Sequence, residues 1–274
     1  MKIAFNDKLE HIEKHLANKA YQEALKELEL LRSELIARQE KELKTSESIQ
    51  YFCFRSDLEK MLYSRVEKDP RQLVMVSEAY DKLYTQLAYC YLMLEDKQKA
   101  KDALAQAIRW NPMNCSYRLN LAQLMLEDAQ ESEALSLAYS VFERAQKPKE
   151  LVLAYLMFAR VFMQAEKLST AGAILKAAHK LDPQYPPLQE ALYALRAAGT
   201  EALELDDELA EELLDEQGLP EGANLAVVIG ILIAADQAAL EGNKEHEQAY
   251  FEQAAQLVGE KNAQVLSQII KEEA

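Results

Sequence analysis

The sequence predicts an all-α protein, a solenoid of antiparallel helix hairpins, and two observations predict it. The first is an internal repeat. Tyr84, Leu87, Ala88, Tyr91, Ala100, Leu104, Ala107 and Pro112 form one copy of a small-and-large apolar pattern, and Tyr155, Phe158, Ala159, Phe162, Ala171, Leu175, Ala178 and Pro183 form another. A weaker copy, Leu121, Ala122, Met125, Ala134, Ala138 and Val141, lies between them. Three columns share one offset: Ala88, Ala122 and Ala159 are 34 and then 37 residues apart, as are Ala100, Ala134 and Ala171, and Leu104, Ala138 and Leu175. A period of this size marks stacked supersecondary units. The second observation is that no glycine occurs before Gly172, too few turn formers for a chain of many strands.

The elements follow in order. Tyr21, Ala24, Leu28, Leu31 and Leu35 alternate three- and four-residue steps, the apolar stripe of a helix, so residues 6–17 and 20–43 are expected to form a helix hairpin, a degenerate repeat packed on the array. Ser46 to Glu67 is expected to be a further helix. Asp69-Pro70 has the form of an N-cap and first-turn proline, predicting a helix that runs from there towards Leu94. In each clear copy the first helix sets large residues three and four apart. The alanines sit where two backbones must approach, since a longer side chain would overpack the seam by about 1–3 kcal/mol. Asn111-Pro112 and Asp182-Pro183 stop the second helix, because proline has no N–H and disfavours a helical residue before it. The three extra residues of the second step fall in the loop carrying Lys147-Pro148-Lys149. These readings divide the chain into an N-terminal helical segment (1–70), a repeat core (71–185, with copies at 81–114, 115–151 and 152–185) and acidic C-terminal helices (186–274). In the last part, Leu188 to Ala198 reads as a short helix closed at Gly199. Glu201 to Gln217 reads as one acidic amphipathic helix with Leu203, Leu205, Leu209, Leu213 and Leu214 on its apolar side. Asn224 to Leu240 and Glu245 to Val258 read as a hairpin around Gly242-Asn243.

Composition excludes several functions. Phosphate-cradling loops, dinucleotide fingerprints and nucleophile elbows need glycine for backbone approach, and the seven glycines form none of these patterns. The N-terminus lacks the apolar run of a secretory signal. Ala223 to Ala235, thirteen residues without charge, is too short to span a bilayer. Cys53, Cys90 and Cys115 are odd in number and widely spaced, unsuited to a disulfide framework or a metal knuckle. A cytoplasmic location is the expectation. The net charge of −15 is uneven: residues 1–70 hold 13 basic and 14 acidic side chains, residues 71–185 hold 14 and 13, and residues 186–274 hold 4 and 19. The neutral remainder disfavours a nucleic-acid interface, which needs a basic stripe.

On the residues of the first and third copies, the chain resembles the tetratricopeptide repeat family, whose 34-residue unit has this residue order and closing proline. The resemblance covers residues 81–185. It departs in the middle copy, where Arg118 replaces an aromatic and no proline follows, and alanine replaces the family's common glycine throughout. A fainter resemblance, on Tyr51-Phe52-Cys53-Phe54 upstream of Leu58-Glu59 and Leu62-Tyr63, is to bacterial repeat proteins with no assigned function. The tetratricopeptide resemblance implies a superhelix with a concave groove for a peptide or protein partner. Its groove positions fall on Lys82, Thr85, Tyr89, Leu92 and Met93 in the first copy. They fall on Ser116, Leu119, Asn120, Gln123 and Glu127 in the second, and on Leu153, Leu156, Arg160, Met163 and Gln164 in the third. The subfamily that clamps a C-terminal carboxylate needs a lysine and an asparagine where Thr85 and Tyr89 stand, so a clamp is not expected. The remaining lining is apolar with polar punctuation, suited to an amphipathic helix or apolar peptide, unless the chain's own C-terminal helices fill it or copies self-associate.

No nucleophile–base pair is evident, and neither an enzyme nor a bound cofactor is expected. His11 and His15, four apart on one helix face, have metal-ligand spacing, but the glutamate of His11-Ile12-Glu13-Lys14-His15 is one place away from the zinc-protease pattern and no third ligand lies near in sequence, so no metal is expected. His179 and His246 are isolated. Consecutive acids Asp206-Asp207-Glu208 point apart on a helix and form no calcium cage. The reading is a non-enzymatic scaffold that holds a protein or peptide in its groove. The alternative is a holder for a secreted or basic partner that uses the acidic C-terminal surface.

Overall fold

A computed structural model describes residues 4–273. The chain divides into two compact units, Met1–Leu124 and Met125–Ala274. In the first, α1 (Phe5–Ala17) and α2 (Tyr21–Lys41) form an antiparallel pair, α2 packs on α4 (Tyr80–Met93), and α4 pairs with α5 (Lys97–Trp110). The helix α6 (Cys115–Glu127) follows, and the division falls within its last turn. The predicted stripe of α2 is the buried one: Ala24, Leu28, Leu31 and Leu35 are all 3% exposed or less. The seam of the first repeat is as expected, with Leu87, Ala88, Ala100, Leu104 and Ala107 buried between α4 and α5. Each large aliphatic side chain there contributes roughly 1.5–3 kcal/mol.

The hairpins share one turn. In α1/α2 the N–H of Ala20 donates to the carbonyl of His15, in α4/α5 Asp96 to Tyr91, before α7 Gln130 to Met125, and in α8/α9 Lys167 to Phe162, at 2.8–2.9 Å. This six-residue closure is the Schellman end of a helix, and it places the penultimate residue in the left-handed region. Those residues are Lys19, Glu95, Ala129 and Glu166, with φ between 57° and 64°. The last three follow the repeat's own offset. Without glycine, the chain makes these turns at a strain of about 1–2 kcal/mol each.

Between α2 and α4 the structure departs from expectation. Ser46 to Glu67 is not one helix, and Asp69-Pro70 does not start one. Instead β1 (Ile49–Phe52) pairs in parallel with β2 (Gln72–Met75), register Ile49↔Gln72 to Phe52↔Met75, and α3 (Asp57–Glu67) makes the crossover. The alternation through Phe52 and Phe54 suits a pleat better than a helix. Phe52, Phe54 and Tyr63 of α3 then form one aromatic cluster with ring centroids 4.8–5.4 Å apart. Ser56 caps α3 by accepting from the N–H of Glu59 at 3.2 Å. The Asp69 carboxylate caps no helix. It accepts from Arg71 Nε at 2.8 Å and from the Arg71 backbone N–H at 3.0 Å. The bonded Arg71 guanidinium holds its carboxyl down at about 2. The unit anchors to α5, where Cys53 N–H donates to the Trp110 carbonyl at 2.7 Å. The helix expected from Pro70 begins at Tyr80, and the segment before it is pinned by α1: Asn6 donates to Ser77 O at 3.1 Å and accepts from Ala79 N–H at 3.0 Å.

The second unit holds α7 (Glu131–Phe142), α8 (Pro148–Gln164), α9 (Leu168–Leu181), α10 (Pro186–Ala197), a single 3-10 turn (Ala202–Glu204), α11 (Asp207–Glu216), α12 (Leu225–Leu240), α13 (Lys244–Val258) and α14 (Glu260–Glu273). The pairs α8/α9 and α12/α13 are its tightest hairpins. The acidic stretch 201–217 is not one helix. It breaks after Leu205 because Asp206 turns its carboxylate onto the N–H of Glu208, 3.0 Å away, and starts α11. Of the expected apolar side, Leu214 is buried, Leu205 and Leu213 are half-buried, and Leu203 and Leu209 are exposed. The break is held from α9. Lys176 Nζ, largely buried, donates to the Leu205 carbonyl and pairs with Asp207 at 2.8 Å. Gly172 lies beneath the same segment, where an added Cβ would sit 2.8 Å from Leu205 Cδ1. The apolar run of the sequence is the core of α12, with Val227, Val228, Ile231 and Leu232 buried. Among the described residues, no helix is long and apolar enough to cross a membrane.

Candidate functional site: the α4–α6 face of the first unit

In the first unit the N-terminal half of α4 and the start of α6 open onto a cavity of about 630 Å³. Its walls come from four places. The loop after β1 brings Arg55, the segment before α4 brings Val76 to Ala79, α4 brings Lys82 and Thr85, and α6 brings Ser116, Tyr117 and Asn120. The floor is polar and buried. Asp81, 5% exposed, accepts from the Tyr117 hydroxyl at 2.8 Å, and Arg55 donates to the same hydroxyl at 3.2 Å. Burial, then the Asp81 charge, pushes the Tyr117 hydroxyl up, so it stays a neutral donor. Lys82 at the rim pairs with Glu13 of α1 at 2.7 Å, and Gln86 donates to the same Glu13 carboxylate oxygen at 3.2 Å. Thr85 turns its hydroxyl back onto the Lys82 carbonyl at 2.9 Å. What remains for a visitor is the Lys82 ammonium edge, the Asn120 amide and the methyl of Thr85.

The sequence-derived groove positions distribute as follows. Lys82, Thr85 and Asn120 share this cavity. One turn further along α4, Tyr89 and Met93 are 42% and 44% exposed, with Leu92 half-buried beside them, and Tyr89 meets Tyr21 of α2 edge-on at 5.8 Å. On α6, Gln123 is half-buried and Glu127 exposed, whereas Leu119 is 5% exposed and packs inward. In the second unit, α8 exposes Arg160 and Gln164 and half-buries Leu156 and Met163. Sequence reasoning missed Arg55, Asp81, Tyr117 and Tyr21. The aromatic segment before α3 was the only hint that a loop would arrive there. Within the second unit the C-terminal segment is tied to α8: the Tyr155 hydroxyl donates to Pro220 O at 2.6 Å and accepts from Gly222 N–H at 2.8 Å.

All three cysteines are buried and outside any disulfide. Burial pushes Cys53 up to about 12 and Cys90 to about 11, far from the lowered values of reactive thiols. The histidine pair does gain a neighbour that sequence spacing could not show. Glu27 of α2 stands beside His11 and His15 of α1.

The fold and cavity define a helical-hairpin repeat protein whose first unit carries an embedded βαβ element and an open, polar-floored cavity. The pairs α4/α5 and α8/α9 pack as the tetratricopeptide resemblance implies. By shape the chain is similar to a solved structure of Pseudomonas aeruginosa pilF, with a TM-score of 0.45 and 14% identity over 98% of this chain and 97% of that chain. A likeness of that size adds nothing to what the helix packing already shows. No family model matches the chain, and no curated protein matches it.

Proposed function

We propose that the protein is a non-enzymatic scaffold that binds a peptide or protein segment on the α4–α6 face of the first unit. The observation that supports this best is the cavity itself. Its lining includes Lys82, Thr85 and Asn120, which the resemblance assigns to a groove, and Tyr89 and Met93 are exposed further along α4. Aromatic and methionine side chains left exposed in one patch are the usual anchors of an interface. The Lys82 edge and the Asn120 amide supply hydrogen bonds for a segment that places an acidic or amide side chain beside an apolar one. In the second unit, Arg160 with Leu156 and Met163 gives α8 the same mixture. The test is selection of binders from a displayed library of helical peptides against the intact chain, followed by anisotropy titration. Tyr89→Ala is expected to weaken the selected peptides by about tenfold or more, roughly 1.4 kcal/mol, with helicity by circular dichroism unchanged. Unaltered affinity would remove the groove assignment.

A second reading is favoured by the segment 202–216, where exposed Leu203 of the 3-10 turn and exposed Leu209 of α11 stand among exposed acids. That surface suits a basic amphipathic partner. Its binding would fall steeply with salt, since exposed charges are screened over about 10 Å at 0.1 M.

A further inference from the structure

We propose that His11, His15 and Glu27 form a binding site for a divalent first-row cation of the zinc class, fastening α1 to α2. The antiparallel pairing of the two helices sets the register. Lys8 pairs with Glu34 at 2.9 Å and His15 Nε2 with Glu27 Oε1 at 3.5 Å. His11 lies one turn before His15 on the same face, and the two rings meet edge-on with centroids 5.6 Å apart. One ligand atom from each of the three residues lies within 4.8 Å of the others. Zinc bonds of about 2.0–2.2 Å in tetrahedral geometry need ligand atoms about 3.3 Å apart, so the His15–Glu27 pair is already at coordinating distance and His11 closes by side-chain rotation. Two imidazoles and one carboxylate are a donor set that suits zinc and its neighbours rather than magnesium or calcium. Three protein ligands leave a position for water or an incoming donor. A cavity of about 550 Å³, lined by His11, Glu27, Ile12 and the 67%-exposed Leu30, adjoins the site. The open position is therefore reachable. The ion would join the exposed faces of two helices already paired by Lys8 and Glu34, and metal affinity then appears as stability, because the ion binds the folded hairpin and not the unfolded chain.

The experiment is calorimetric titration of Zn²⁺ into the intact, chelator-treated chain, with Co²⁺ absorption as a reporter of the donor atoms. One site of roughly micromolar dissociation constant is expected, with a higher melting midpoint in the presence of zinc. His15→Ala and Glu27→Gln should each weaken it by at least about tenfold, and His11→Ala should do the same. His246→Ala, at a histidine far along the chain that bonds Asn243, should leave it unchanged. All four positions are exposed or half-buried, and circular dichroism of each variant checks that the fold is kept. The Co²⁺ spectrum should show visible bands of nitrogen–oxygen ligation. No heat at 100 µM zinc (about a −5.5 kcal/mol ceiling on binding) would reduce the trio to an ordinary ion pair. Unchanged affinity in the His11→Ala chain, or a thiolate-to-cobalt band from the cysteines, would place the metal elsewhere. Each of these results overturns the proposal.

Discussion

At the residue scale, four helix hairpins turn on a left-handed residue that is not glycine. Lys19, Glu95, Ala129 and Glu166 occupy the left-handed region at the close of a helix, where glycine is the ordinary choice. A side chain there crowds the following carbonyl, while glycine would relieve the crowding but add disorder to the unfolded chain, a cost of about 0.4–1 kcal/mol. The strain is the larger quantity. Ala129→Gly and Glu95→Gly are therefore each expected to stabilise the protein by about 0.5–1 kcal/mol, the balance of those two effects. That corresponds to about 2–4 °C in the thermal midpoint for units of this size, read by circular dichroism melting. A fall in midpoint would mean that the 95 and 129 side chains make contacts worth more than the strain. These turns could not be read from the sequence because their marker, glycine, is missing. Only the shared 34- and 37-residue offsets of positions 95, 129 and 166 tie them to the repeat afterwards.

At the element scale, periodicity predicted most of the helices and failed where local chemistry redirected the chain. α2, α4, α5, α8 and α9 follow their apolar stripes because burial and helical period agree there. The segment 46–79 carried signals of two kinds. Tyr51, Phe52 and Phe54 suit a strand, and Asp69-Pro70 imitates a helix start, but Arg71 captures the Asp69 carboxylate and leaves no cap free. The candidate cavity was legible only in part for the same reason. Lys82, Thr85 and Asn120 lie on repeat positions, whereas Arg55 reaches the site through a βαβ element that no repeat pattern encodes, and Tyr117 reaches it from α6 at a position outside the groove set. The acidic segment shows the same competition, since Asp206 as a cap overrides the leucine spacing. Its seat on α9 makes a prediction. Gly172 admits the 200–205 segment, with Thr200 Cγ2 and the Ala202 backbone 3.5 and 3.6 Å from the place of a Cβ. Gly172→Val would drive branched methyls into this contact and is expected to cost about 1–3 kcal/mol by overpacking. Gly172→Ala meets only the movable end of Leu205 and gains about 1 kcal/mol of helix propensity, so it should be near neutral. Urea denaturation followed by tryptophan-independent far-UV signal compares the two. Equal midpoints for both variants would show that the segment does not rest on Gly172.

At the scale of the whole molecule, the division into two units is also a division of charge. Met125–Ala274 holds 27 acidic and 11 basic side chains, net −16, and Met1–Leu124 holds 19 and 20, net +1. Like charges confined to one compact unit repel, and that repulsion opposes the folded state. Some of the excess is neutralised locally: Lys176 takes Asp207, whose carboxyl its ammonium holds below the usual range, and Lys180 takes Glu221 at 2.5 Å. The remaining acids on α11, Glu208, Glu211, Glu212, Asp215 and Glu216, are exposed. Salt shortens the screening length from about 30 Å at 0.01 M to about 8 Å at 0.15 M, so it should remove most of the repulsion in the second unit and change little in the first. Hydrogen–deuterium exchange of the intact chain at low and physiological salt separates the two units in one measurement. Peptides from α12 and α13 are expected to gain protection with salt by several-fold in exchange rate, an increase in opening free energy of about 1 kcal/mol for each five- to sixfold change. Peptides from α4 and α5 are expected to hold their rates. The opposite pattern would mean that ion pairs such as Lys176–Asp207 stabilise the second unit more than its unpaired acids destabilise it.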